Sequence, residues 1–186
     1  MKKKFPFYKQ PDIKDCGPTC LRIISKHYKR SISLQQIRNL SETTREVSSL
    51  LGLSDATEDL GFRSLGVQID FNTLANEVPL PCIVHWNKQH FVVVYKIETL
   101  RQAQGDSRYK IYISDPSYGL ITYSKTDFIR FWIGENADEK TEEGIALILE
   151  TTPAFFRTEF DDEESKASFS FLSKYLLKYK SMILQL

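Results

Sequence analysis

The sequence predicts an α+β fold, with a helical N-terminal half followed by an antiparallel sheet from the C-terminal half. Two observations predict it. Up to about residue 60, apolar residues recur three and four positions apart behind helix-capping signals. Beyond that point, short runs rich in Val, Ile and Tyr are separated by turn-forming residues. Helices first and antiparallel strands after define the α+β class.

Each element has its own signature. Residues from about Cys16 to Tyr28 carry Cys20, Leu21, Ile24 and Tyr28 on one helical face. Pro18 falls in the first turn, where the backbone amides have no intrahelical partner to lose. A second helix starts at Ser33, with Gln36 three residues on as a capping box requires. A third runs from about Ser48 to Leu60 and stops at Gly61. Strands are expected over Arg63 to Ile69, Cys82 to Trp86, His90 to Ile97, Tyr109 to Ser114 and Ile145 to Glu150. Arg101 to Arg108 reads as a polar loop, Asp115-Pro116-Ser117-Tyr118-Gly119 as a turn, and Ser124 to Phe131 as one short helix. Tyr118, Phe128 and Trp132 are expected in the core.

The organisation follows. Residues 1–153 form the folded domain. Residues 154–168, with Glu159, Asp161, Asp162, Glu163 and Glu164, read as an acidic linker. In 169–186, Phe169, Leu172, Leu176, Tyr179, Ile183 and Leu186 make one stripe with Lys174, Lys178 and Lys180 mostly off it. That pattern suits an amphipathic helix facing a membrane surface or a transporter wall.

Composition excludes several classes. Of 186 residues 41% are hydrophobic and 12% aromatic, enough for a core. Twenty-five Lys and Arg against 24 acidic residues leave a net charge of +1, which gives no reason for a nucleic-acid partner. Three cysteines do not make a disulfide framework and fit a reducing compartment. The basic N-terminus is not followed by a signal-peptide apolar run, and no apolar stretch of about 18 residues is present.

The chemistry starts at Asp15-Cys16-Gly17-Pro18-Thr19-Cys20. A cysteine at a helix start meets outward-pointing amides and the positive end of the helix dipole, both of which favour a thiolate. Cys20 lies one turn deeper on the same face and, with Cys82, reads as packing. Cys16 and Cys20 find no second ligand pair of suitable spacing, so no metal is expected. Of the three histidines, His27 lies about three turns along the cysteine's own helix and cannot reach the sulfur. His85 and His90 fall in the strand half. If the hairpin joining strands 90–97 and 109–115 centres near residues 102 and 103, opposite residues sum to about 205 and His90 faces Asp115. A carboxylate there fixes the imidazole tautomer and stabilises the imidazolium. His85 then reads as a core histidine. Gln10, six residues before Cys16, can offer a side-chain N–H to an oxyanion beside the Cys16 amide.

Gln10-x5-Cys16-Gly17-x2-Cys20, His90-Phe91-Val92-Val93 and Asp115-Pro116 resemble the bacteriocin-processing, double-glycine peptidase family, the N-terminal cytosolic domains of peptidase-containing ABC transporters. Thr44-Arg45-Glu46, Ser49-Leu50-Leu51-Gly52-Leu53 and Leu60-Gly61-Phe62-Arg63 share the resemblance, which covers roughly residues 5 to 150. It implies a papain-like cysteine peptidase fold and removal of a leader peptide after Gly-Gly or Gly-Ala, coupled to export. It implies Cys16, His90 and Asp115 as triad and Gln10 as oxyanion residue. The stretch from Ala154 resembles the linker and helix that precede a transmembrane domain. Neither that domain nor a Gly-x4-Gly-Lys-Ser/Thr phosphate loop is present, so the chain is expected to be a piece of a longer transporter or a solo relative. No cofactor is expected in this chain, ATP entering only through an absent nucleotide-binding domain. The implied partners are a double-glycine leader peptide, the transmembrane and nucleotide-binding domains of the same transporter, and a membrane surface touched by residues 169–186. The implied location is the cytoplasmic face of the bacterial inner membrane. Two other readings stay open: a non-catalytic cargo-docking domain, which would lack the cysteine, and an acyltransferase or amidase on the same scaffold.

Overall fold

Asp12 caps a single 3-10 turn, Ile13–Asp15, and the chain passes from it directly into α1, Cys16–His27. The computed structural model describes residues 4–42, 49–101, 107–134 and 143–157. In α2, Leu34–Glu42, the expected capping box forms: Gln36 N donates to Ser33 Oγ and Ser33 N to Gln36 Oε1, both at 3.1 Å. Ser49 caps α3, Leu50–Asp59, by accepting from Gly52 N. Gly61 ends that region at φ +89°, and a Cβ there would lie 2.5 Å from Phe155 N, so glycine is required for both conformation and space.

Among the described residues six strands follow in one sheet: β1 (Phe62–Asp70), β2 (Cys82–Trp86), β3 (His90–Arg101), β4 (Ser107–Asp115), β5 (Gly119–Ser124) and β6 (Glu143–Thr151). Their spatial order is β1-β6-β2-β3-β4-β5, every neighbour antiparallel. Short helices α4 (Phe71–Asn76) and α5 (Lys125–Ile133) interrupt the strands, and α6 (Pro153–Arg157) closes the described chain.

Side chains alternate along the strands, so the sheet has two covered faces. Ile83, Phe91, Val93, Leu147 and Leu149 join the buried cluster containing Ile23, Ile24, Ile37 and Leu53 of α1, α2 and α3. Val84, Trp86, Val92, Val94 and Ala146 join a second cluster with Phe71, Phe128 and Trp132 of α4 and α5. Trp132 lies flat over Gly144: a Cβ there would meet its ring at 2.3 Å.

The α+β class and the helices-then-sheet order agree with the sequence reading. Three short elements were not legible. α4 has six residues and α6 five, too short for periodicity to register, and β5 lies at the sheet edge with no fully buried residue. Tyr118 corrects a core assignment: it is 81% exposed on the β4–β5 turn, whereas Phe128 and Trp132 are buried as expected. The packed core also extends past the boundary drawn at residue 153. Phe155 is fully buried, its ring 4.1 Å from Phe62, which puts the first residues assigned to the linker inside the domain. Thr44-Arg45-Glu46, most of the acidic linker and the whole of 169–186 lie outside the described residues.

Candidate active site

Cys16 is the first residue of α1, His90 the first of β3 and Asp115 the last of β4. Because β3 and β4 are antiparallel, the start of one lies beside the end of the other. His90 Nε2 and Asp115 Oδ1 are 2.9 Å apart. The same imidazole lies near enough to Cys16 for the sulfur to raise its pKa. With Nε2 engaged by the carboxylate, Nδ1 is the ring nitrogen left for sulfur.

The pairing that brings His90 to Asp115 differs from the one expected. Val93 faces Ser114 and Val94 faces Ile113, so opposite residues sum to 207 rather than 205. Asp115 therefore stands opposite the position of Val92, two residues from His90. A shift of two keeps both side chains on one face and leaves them diagonal neighbours, within reach of a long side chain. A shift of one would have separated them. The cause is a loop centred later than residue 103, together with a bulge between Val94 and Lys96 that offsets the rest of the hairpin.

Asp115 is buried, and its Oδ1 also accepts from Ser117 N at 2.8 Å, so it forms the turn and meets the histidine at once. Burial works against a charge on His90. Its hydrogen bond to Asp115, the Cys16 sulfur near it and the negative charge of both partners outweigh that and push the imidazole up to about 9. His85 is stacked on Phe91 with centroids 4.8 Å apart, and burial lowers its pKa. His27 closes α1, about 16 Å of helix away from Cys16. Cys20 is fully buried and its thiol donates to Phe91 O at 3.3 Å; burial, with the charges of Cys16 and Asp115, raises its pKa well above normal. Burial pushes the Cys82 thiol up to about 12.

Gln10 lies on the N-terminal strap. Its backbone N–H donates to Pro116 O at 3.0 Å, tying it beside the Asp115 turn. Its side-chain Oε1 is buried and has no hydrogen-bond partner among the described residues. One feature of the site was missed in the sequence. Asp15, directly before the cysteine, is buried and takes two hydrogen bonds from Arg38, at 2.8 and 2.6 Å. Neither residue type signals this at a separation of 23 positions. Among the described residues, no group of three or more His, Cys, Asp or Glu is arranged to hold a metal ion.

A cysteine at a helix start, facing a histidine and an aspartate at the end of an adjoining antiparallel sheet, is the arrangement of papain-like cysteine peptidases. The Peptidase C39 family matches residues 4–137, and the chain belongs to that family. It is 36% identical over 130 residues to the lactococcin-G-processing and transport ATP-binding protein LagD of Lactococcus lactis, covering 67% of this chain and 17% of that protein. It is 29% identical over 187 residues to the lactococcin-A transport/processing protein LcnC of the same species, covering 99% of this chain and 24% of the relative. The chain thus spans about a fifth of the length of these curated relatives.

Several solved structures share the fold. A double glycine motif protease from an AMS/PCAT transporter, in complex with the leader peptide, superposes with TM-score 0.64 at 28% identity, covering 80% of this chain and 93% of the other. The peptidase domain of Streptococcus ComA, a bi-functional ABC transporter involved in a quorum sensing pathway, gives 0.62 at 29% identity, covering 80% of this chain and all of that domain. The protein is a cysteine peptidase of this family and fold.

Proposed function

We propose that the chain is the leader-processing endopeptidase of a peptide exporter, cutting after Gly-Gly or Gly-Ala through Cys16, His90 and Asp115. The observation that carries this reading is one imidazole 2.9 Å from a buried carboxylate and close enough to the helix-start sulfur to feel its charge. An imidazolium beside sulfur is the environment that favours a thiolate. The Cys16 thiolate attacks the carbonyl carbon of the scissile peptide bond. The resulting oxyanion is met by the Cys16 backbone N–H and the Gln10 side chain, each such donor being typically worth ~10²–10³ in rate. His90 then gives its proton to the departing amine, leaving a thioester. Water, deprotonated by His90, releases the leader and regenerates the site. Asp115 holds the ring and stabilises its charged form.

The burial of the nucleophile supports a glycine-pair specificity. Cys16 is only 3% exposed, which favours a substrate that approaches as bare backbone beside the scissile bond. Ile13 and Tyr118 are 83% and 81% exposed and flank Cys16 and Asp115 in sequence, offering apolar surface to an amphipathic leader helix. Relatives that are transport and ATP-binding proteins support membrane-spanning and nucleotide-binding partners on the same polypeptide, at the cytoplasmic face. The cargo-docking reading is disfavoured by the retained cysteine with its histidine. Mass spectrometry of a synthetic double-glycine leader peptide is the test: cleavage after the glycine pair is expected, with none from the Cys16→Ala variant. Turnover retained in that variant would overturn the mechanism. Stable binding without cleavage by the unaltered chain would favour docking.

A further inference from the structure

At the end of α1 remote from Cys16, a groove of about 700 Å³ opens between the N-terminal strap, the helix end and β3. Four lysines, Lys4, Lys26, Lys29 and Lys96, line it, of which Lys96 is ion-paired with Glu98 and Lys26 donates to Ser31 Oγ. Its aromatic element is the stack of Phe5 on Tyr95, with centroids 4.1 Å apart and planes within 6°. An aromatic cleft with a cationic lining suits an acidic segment that also carries a ring.

The chain contains one. Glu159-Phe160-Asp161-Asp162-Glu163-Glu164 sets one phenylalanine among five carboxylates. We infer that this segment docks in the groove, with Phe160 on the Phe5–Tyr95 stack and its carboxylates on the lysines.

Chain connectivity supports the placement. α6 ends at Arg157, and Phe155 within it lies 6.3 Å from the Tyr28 ring. Tyr28 is 5.0 Å from His27, and His27 is 5.0 Å from Phe5. The chain therefore leaves the domain two aromatic rings from the groove. Three residues carry it from Arg157 to Phe160, up to ~10 Å when extended, and four more spread the carboxylates over a further ~14 Å. Opposite charges brought together on a partly apolar floor would gain from both Coulomb attraction and burial. Salt weakens the first part only. Docked there, the segment fixes where the chain departs from the peptidase domain: at the His27 end of α1, away from the Cys16 end that a substrate must reach.

Two measurements on the full chain test this. The first compares amide hydrogen exchange at Phe7 and Tyr8 in the unaltered protein and in the variant Glu159→Gln, Asp161→Asn, Asp162→Asn, Glu163→Gln, Glu164→Gln. A rise in exchange rate of ~10-fold or more at both amides is expected, reproduced by Lys26→Glu with Lys29→Glu. The second pairs Phe160→Cys with Lys29→Cys and follows disulfide formation under mild oxidation, against Phe160→Cys with Lys110→Cys on β4. Cross-linking at least ~10-fold faster for the groove pair is expected. Unchanged exchange on neutralisation, or equal cross-linking rates, would overturn the assignment. So would protection of Phe7 and Tyr8 that arises only when a double-glycine leader peptide is added, since the occupant would then be substrate.

Discussion

On the face covered by α1, α2 and α3, the sheet packs against a layer that carries reactive and polar groups: Cys16 and Cys20, the buried Asp15 with Arg38, and the hydroxyls of Thr19 and Ser25. The opposite face meets Phe71, Phe128 and Trp132, with Trp86 and Val92 beneath them. Its indole is satisfied, Trp132 Nε1 donating to Ile145 O at 2.9 Å. Two of the buried hydroxyls on the first face, Thr19 Oγ1 and Ser25 Oγ, have no hydrogen-bond partner among the described residues. Buried polar atoms weaken packing, and aromatic burial strengthens it. The domain thus keeps its chemistry on the layer where polar groups are tolerated and draws firm support from the other. Rate and stability should therefore separate by layer.

The largest expected departure from equal behaviour is in rate. Asp115→Asn keeps an acceptor for Ser117 N but removes the charge beside His90. Peptide cleavage is expected to fall by ~10²–10⁴ with the melting temperature little changed. A rate within threefold of the unaltered enzyme would break the separation. The converse belongs to the other layer. Trp132→Ala empties a large site over Gly144 and should cost ~3–5 kcal/mol in urea unfolding. The rate per folded molecule should stay within about twofold. Loss of activity in fully folded protein would show that the aromatic layer also shapes the site.

A subtler effect is carried by pH. The His90 imidazole rises in the folded protein to about 9, above its ordinary value. Its contribution to stability is therefore fully present below about pH 6.5, and is lost as pH rises through about 9. The stability difference between the unaltered protein and His90→Ala should shrink across that window; a difference that grows with pH would reverse the sign. Smallest is Cys20→Ala, expected to cost ~1–2 kcal/mol and to leave cleavage intact. Limited alkylation sharpens the same contrast: Cys16 is expected to react before Cys20 and Cys82, whose thiols burial keeps protonated.

Much of the site was legible because its signals are local. A cysteine followed by glycine and proline at a helix start, and a histidine opening a strand, can each be read in a few residues. The partnership of His90 with Asp115 was legible only in parity: the assumed register was wrong by two, and an even error leaves the same face. Asp15 with Arg38 was not legible, because the pairing depends on how α2 lies across the end of α1. Tyr118 was misread for a similar reason. A tyrosine in a turn carries no local sign of whether neighbouring strands will cover it.

The N-terminal strap is held late. Ser114 Oγ donates to Pro6 O across 108 residues, and Gln10 N finds its acceptor on Pro116. A ribosome making this chain therefore releases the cysteine long before the strand that carries the aspartate. Until β4 is in place, the nascent chain holds a thiol but no assembled site. The site thereby stays silent until the strand carrying Asp115 has been made, and its first turnover reports that the strap and β4 have met.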